Sequence, residues 1–187
     1  MSYTESTMLE LGTTIPDFNL PEVSSAIDLS VSDCLGPNGT VIMFMCNHCP
    51  YVLHVIDTVV EIADKYMDRG IGWAGISSND AVKYPADGPD EMLLFAREHQ
   101  LPFPYLYDES QSIAHAYHAA CTPEFYVFDE HNRLVYRGRL DGSRPGNDIP
   151  CTGEDLRRAL DHLLVGKSID EKQYPGGGCG IKWKTTT

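Results

Sequence analysis

Between Thr40 and Met45 the chain runs Thr-Val-Ile-Met-Phe-Met with no charge, the pattern of a strand covered on both faces, and the run ends directly on Cys46. From Tyr51 to Tyr66 the apolar residues Val52, Val55, Ile56, Val59, Ile62, Ala63 and Tyr66 recur three and four apart. That spacing predicts an amphipathic helix, with Gly70 as its stop. Gly72 to Ser77 reads as the next buried strand, so the order strand, cysteine-bearing junction, helix, strand predicts a parallel crossover unit. Upstream, Asp17 to Pro21 and Ala26 to Leu29 alternate apolar and polar residues around a turn, which predicts a small N-terminal hairpin. Downstream, helices are expected at Pro89 to Glu98 and at Ser112 to Tyr117. Glu124 to Phe128 and Leu134 to Arg137 flank the polar run Asp129 to Arg133 as an antiparallel hairpin. Leu156, Ala159, Leu160, Leu163 and Leu164 share one face of a final helix, Glu154 to Leu164. The predicted fold class is α/β: a mixed central sheet with helices on both faces and an N-terminal β-hairpin extension.

The only break in composition is Gly176-Gly177-Gly178, so the chain divides into one domain over residues 1–170 and a C-terminal tail over 171–187. With 42% hydrophobic and 22% charged residues the chain resembles an ordinary globular protein able to bury a core. A formal net charge of -13 argues against a nucleic-acid partner, because phosphate binding relies on Lys and Arg. No segment approaches the roughly 18 apolar residues of a membrane span. The first residues also lack a basic, then apolar, leader pattern. A cytoplasmic address with no membrane partner is therefore expected. The six cysteines (34, 46, 49, 121, 151, 179) are unevenly spaced, which does not suit a secreted disulfide framework.

One pair stands apart, in Cys46-Asn47-His48-Cys49-Pro50. A Cys-x-x-Cys where a strand enters a helix has a physical rationale. Unpaired N–H groups and the helix dipole stabilise an anion there, drawing a thiol pKa from about 8.5 into the range of roughly 3.5 to 7.5. Cys46 is read as the attacking thiolate at the helix start and Cys49, one turn further in, as the resolving thiol. His48 between them would lower the thiolate pKa further if protonated. A metal half-site is the competing reading, with Cys46, Cys49 and a histidine holding a soft ion such as copper. No second pair of ligands at recognisable spacing completes it, so neither metal nor other cofactor is expected.

Several segments together carry a family resemblance: Gly12 to Leu29, the Cys46 to Pro50 motif, Leu101-Pro102-Phe103-Pro104, Cys121-Thr122-Pro123-Glu124-Phe125 and Tyr136-Arg137-Gly138. They resemble the peroxiredoxin-like, AhpC/TSA-type branch of the thioredoxin superfamily. Cys46 to Val52, Leu140 to Asn147 and the tail Gly178 to Lys184 are similar to a subgroup labelled thioredoxin family protein. The resemblance implies a thioredoxin-like fold in which Thr122-Pro123 is a cis turn opposite the cysteine pair, leaving the Thr122 backbone to pair with a bound polypeptide. It also implies that Cys121 lies on the same rim as Cys46.

The sequence departs from both branches. Peroxiredoxins place a Pro and a Thr or Ser upstream of the peroxidatic cysteine and add a distant Arg, whereas the matching positions before Cys49 are Ile42 and Cys46. Thioredoxins carry a Trp before the first cysteine, Gly-Pro between the pair and a buried acid in the preceding strand. Here Met45, Asn47-His48 and Thr40 stand in those places. Glu124 is a candidate replacement for that proton acceptor, against the simpler reading of a surface carboxylate. Cys179, after the three glycines, could be carried by a flexible tail to another disulfide as a resolving thiol. The expected activity is thiol-disulfide exchange on protein or small-molecule disulfides, with reducing equivalents from a thioredoxin- or glutathione-type thiol. Antioxidant thiol peroxidase activity is the alternative.

Overall fold

The computed structural model describes residues 3–185. In chain order the elements are β1 (Tyr3–Glu5), β2 (Asn19–Pro21), β3 (Asp28–Ser30), α1 (Val31–Cys34), β4 (Thr40–Phe44), α2 (Pro50–Met67) and β5 (Gly72–Ser77). A 3₁₀ turn at Pro85–Asp87 follows, then α3 (Pro89–Glu98), β6 (Tyr105–Tyr107), α4 (Ser112–Ala116), β7 (Cys121–Thr122), β8 (Glu124–Phe128), β9 (Leu134–Gly138), α5 (Glu154–Leu164) and β10 (Gly177–Gly180). The central sheet has the order β6-β5-β4-β8-β9. Its β4–β5 and β5–β6 pairs are parallel, and β4–β8 and β8–β9 are antiparallel. The predicted mixed sheet is present, and β2 and β3 form the predicted hairpin.

All five residues of β4 are buried, because its alternating side chains feed two separate cores. Val41 and Met43 pack with α2, α3 and α5 through Val59, Met92, Phe95, Leu156 and Leu160. Ile42 and Phe44 point the other way, toward Cys34 of α1, Ala114 of α4, Tyr117 and Tyr126. This two-sided burial holds β4 at the centre of the sheet and fixes the point at which its C-terminal end releases Cys46. The seven predicted apolar positions of α2 are its buried face, and Gly70 takes the left-handed conformation (φ 82°) that closes the helix. No described helix is long and apolar enough to cross a membrane.

The tail, over its described residues up to 185, is part of the folded body. β10 lies between β1 and β7 in a three-stranded antiparallel sheet, with Cys179 opposite Thr122 on one side and Tyr3 on the other. The expected flexible three-glycine hinge is therefore corrected. Gly177 and Gly178 are strand residues whose missing side chains permit close approach: a Cβ on Gly178 would stand 2.0 Å from the Thr122 carbonyl oxygen.

Candidate active site

The geometry of the cysteine pair follows from where α2 begins. Pro50 is its first residue and Cys49 its N-cap. Proline lacks the N–H that a first helical residue would leave unpaired, so it favours this position. Cys46 therefore lies ahead of the helix, and the expectation that the helix start stabilises its thiolate is corrected: the terminus favours an anion on Cys49. Both sulfurs are shielded, the residues being 1% and 0% exposed.

As a thiol, Cys49 donates to the Thr122 carbonyl at 3.2 Å, and Cys46 Sγ lies 3.4 Å from Thr122 Oγ1. Hydrogen bonding from Cys46, opposed by burial and reinforced by Cys179, Thr122 and the Val52 N–H, draws the Cys49 thiol down to about 5. Its interaction with Cys49, with burial and the nearby Asp87 charge, pushes Cys46 well above the ordinary thiol range. The two thiols titrate as a coupled pair, in which these influences favour the anion on Cys49.

Asp87 is a fully buried carboxylate that the sequence reading did not identify. Its Oδ1 accepts from the Asn47 N–H at 3.0 Å and its Oδ2 from Asn79 Nδ2 at 2.8 Å. Asn47 also donates through Nδ2 to Ala86 O (2.9 Å) and accepts from Tyr105 Oη (2.9 Å), so the loop between the cysteines is clamped onto the 85–87 turn. His48 Nδ1 lies 2.9 Å from Asp87 Oδ1 without hydrogen-bond alignment. The His48 ring stacks on Tyr84, with centroids 6.4 Å apart. Cys46 Sγ, His48 Nδ1 and an Asp87 carboxylate oxygen lie within 4.8 Å of one another, the one such donor group among the described residues. A metal held here would use Asp87 in place of the predicted Cys49.

Facing the pair, Thr122-Pro123 is cis, as the resemblance implies. Its backbone edge, expected to receive a polypeptide, already pairs with β10, which corrects that expectation. Glu124 is buried rather than superficial. Its carboxylate accepts from Ser6 Oγ, from the Ala120 and Cys121 N–H groups at 3.0 and 3.4 Å, and from Cys121 Sγ at 3.8 Å. These bonds tie Glu124 to Cys121 and not to the Cys46–Cys49 pair. Burial and that carboxylate push the Cys121 thiol up, which keeps it protonated. Cys179 reaches the centre from the tail and hydrogen-bonds to Cys49.

The chain's relatives can be placed against this geometry. The profile described as AhpC/TSA family matches residues 11–137. The chain belongs to the AhpC/TSA family. A search of curated proteins returned no match. Among solved structures, an uncharacterized conserved protein from Geobacillus kaustophilus is 50% identical, with TM-score 0.98, covering 100% of this chain and 99% of that one. A hypothetical protein from Sinorhizobium meliloti 1021 is 37% identical, with TM-score 0.95 and coverage of 98% and 100%. Peroxidoxin BcpB from Mycobacterium tuberculosis is 16% identical, with TM-score 0.63, covering 85% of this chain and 99% of that one. The last likeness establishes the thioredoxin-like fold common to this family. The family match ends at Arg137, before α5 and before the tail that brings Cys179 to the site.

Proposed function

We propose that the protein is a thiol-disulfide oxidoreductase that cycles Cys46 and Cys49 between dithiol and disulfide. The observation that carries this reading is a buried pair of cysteines at the start of α2, with both sulfurs set against Thr122 of the cis Thr122-Pro123 turn. The Cys49 thiolate attacks a substrate disulfide, forming a mixed disulfide and releasing the first substrate sulfur as a thiolate. Cys46 then loses its proton toward Asp87, attacks Cys49 Sγ and releases the second substrate thiolate. This order makes Cys49 the nucleophile and Cys46 the resolving thiol, the reverse of the roles expected from the sequence. A cellular dithiol or glutathione-type thiol returns the pair to the reduced state, and the substrates are protein or small-molecule disulfides.

The family and the acidic Cys49 also favour a second reading, thiol peroxidase. In that reading Cys49 takes the terminal peroxide oxygen as sulfenic acid and releases an alcohol or water. Cys46 then condenses with it to the disulfide with loss of water. A side-by-side assay separates the two. Under limiting dithiol, wild type is expected to accelerate reduction of insulin and glutathione disulfide, with Cys46→Ser and Cys49→Ser falling to the rate of dithiol alone. Disulfide reduction that is indifferent to both substitutions would overturn the oxidoreductase reading. Cysteine-dependent consumption of hydrogen peroxide without disulfide reduction would replace it with the peroxidase.

A further inference from the structure

The tail does more than close the fold. β10 pairs antiparallel with β7, Cys179 opposite Thr122 and Gly180 opposite Cys121, on the backbone edge that faces the cysteine pair. Thr122 is also the residue whose carbonyl accepts from Cys49 and whose hydroxyl lies beside Cys46. The chain continues from β10 across the C-terminal end of β5. The Lys182 N–H donates to Asn79 Oδ1 at 2.8 Å, the Asp80 N–H to the Lys182 carbonyl at 2.9 Å, and the Lys184 N–H to Gln111 Oε1 at 2.8 Å. Trp183 stacks on His115 with centroids 4.3 Å apart. Anchored on both sides of the centre, the tail holds its sulfur at hydrogen-bonding range of Cys49 in the manner of an extended substrate segment.

We propose that Cys179 is a third redox-active thiol, which exchanges with the Cys46–Cys49 disulfide to form a Cys49–Cys179 disulfide that fastens β10 to the active site. The inference rests on the dithiol-disulfide reading of Cys46 and Cys49. In the step, Cys179 Sγ attacks Cys49 Sγ, the Cys49–Cys179 bond forms and the Cys46–Cys49 bond breaks. Cys46 leaves as a thiolate and takes up the proton that Cys179 gives up. No net electrons enter or leave, so the only oxidant required is the disulfide substrate that made the first bond.

The reduced centre opposes this attack, and oxidation removes the opposition. In the dithiol form burial pushes Cys179 up to about 12, reinforced by its hydrogen bond to Cys49 and by the Cys49 charge, while Lys182 acts in the lowering direction. Once Cys49 is in a disulfide it carries no charge, so two of the three raising causes vanish and Lys182 remains. Cys121, although close by, stays tied to Glu124 and is not the expected partner.

The test is disulfide mapping of native full-length protein. Wild type, Cys46→Ser and Cys179→Ser are treated with one equivalent of diamide, quenched in acid, alkylated and digested. Wild type is expected to give both Cys46–Cys49 and Cys49–Cys179 cross-linked peptides within one chain. Cys46→Ser should give only Cys49–Cys179, and Cys179→Ser should lose that peptide and keep Cys46–Cys49. Wild type with Cys46–Cys49 alone, together with Cys46→Ser without Cys49–Cys179, would overturn the role of Cys179 and leave the oxidoreductase reading standing. Cys49–Cys179 in wild type with no Cys46–Cys49 in Cys179→Ser would overturn that reading and, with it, the exchange step. Neither cross-link, or linkage to Cys121 or Cys151 instead, would overturn both.

Discussion

Reduced protein is expected to lose its first active-site proton near pH 5, from Cys49, while Cys46 remains protonated through neutral pH. Labelling of Cys49 by iodoacetamide, followed by peptide mapping against pH, should therefore rise through about 5 and level off, where an ordinary thiol would still be rising toward about 8.5. At pH 6 the thiolate fraction exceeds that of a free cysteine by about 300-fold. The lower basicity costs about 40-fold in intrinsic nucleophilicity, which leaves a net gain of about tenfold before burial slows access. Cys46→Ala removes the largest cause of the depression, so the Cys49 midpoint should move up toward the ordinary range. The stability effect has a definite sign. Because the folded pKa lies below the unfolded one, the Cys49 thiolate stabilises the reduced fold fully above the unfolded thiol pKa. That stabilisation is lost as pH falls through about 5. Two thiols that titrate together near 8.5, unmoved by Cys46→Ala, would remove the basis for assigning attack to Cys49.

Gly178→Val should release the tail from the active-site edge. The new Cβ would sit 2.0 Å from the Thr122 carbonyl oxygen and 3.3 Å from Tyr51 Cβ, and the nearer obstacle is backbone that cannot swing aside. Overpacking of this kind costs about 1–3 kcal/mol. For a chain of this size that corresponds to roughly 2–12 °C in Tm. Loss of β10 from β7 should also uncover Cys46 and Cys49 and speed their modification by a bulky disulfide reagent. Gly180→Ala provides the contrast, since its Cβ would meet the tip of the Thr4 side chain at 2.8 Å, which can rotate. Equal melting temperatures and equal thiol reactivity in wild type and Gly178→Val would show that the β7–β10 contact does not shield the pair.

Strand and helix positions that depend on a continuous hydrophobic period were legible in the sequence. The apolar run at β4 and the three-and-four spacing of α2 gave both elements and the junction between them, and the Pro89 and Gly70 signals bounded α3 and α2. The thiol roles turned on a finer signal. Pro50 as first helical residue places Cys49, and not Cys46, at the helix cap, a boundary that the apolar period alone did not mark. Asp87 was not legible, because its burial comes from a 3₁₀ turn folded onto Asn47 and Asn79 and not from any local pattern. β10 escaped for a related reason. Glycines ordinarily weaken a strand, and only the close approach to Thr122 and Tyr3 makes them suitable for this one. Glu124 was placed at the surface by its residue type, whereas four donors from Ser6, Ala120 and Cys121 satisfy it inside the fold.

The central claim, that Cys46 and Cys49 form one redox couple with the charge held on Cys49, is tested most directly by a redox titration of Cys179→Ser protein at several pH values. Equilibration in dithiothreitol buffers, acid quenching and peptide mapping would follow the Cys46–Cys49 disulfide. A single two-electron transition is expected. Its midpoint should fall by about 30 mV per pH unit between pH 6 and 8, since the reduced pair then carries one proton and the disulfide none. A slope of about 60 mV per pH unit would mean that both sulfurs are protonated, contradicting the charge assignment. A pair that stays reduced at every potential, or that oxidises without a Cys46–Cys49 bond, would contradict the couple itself.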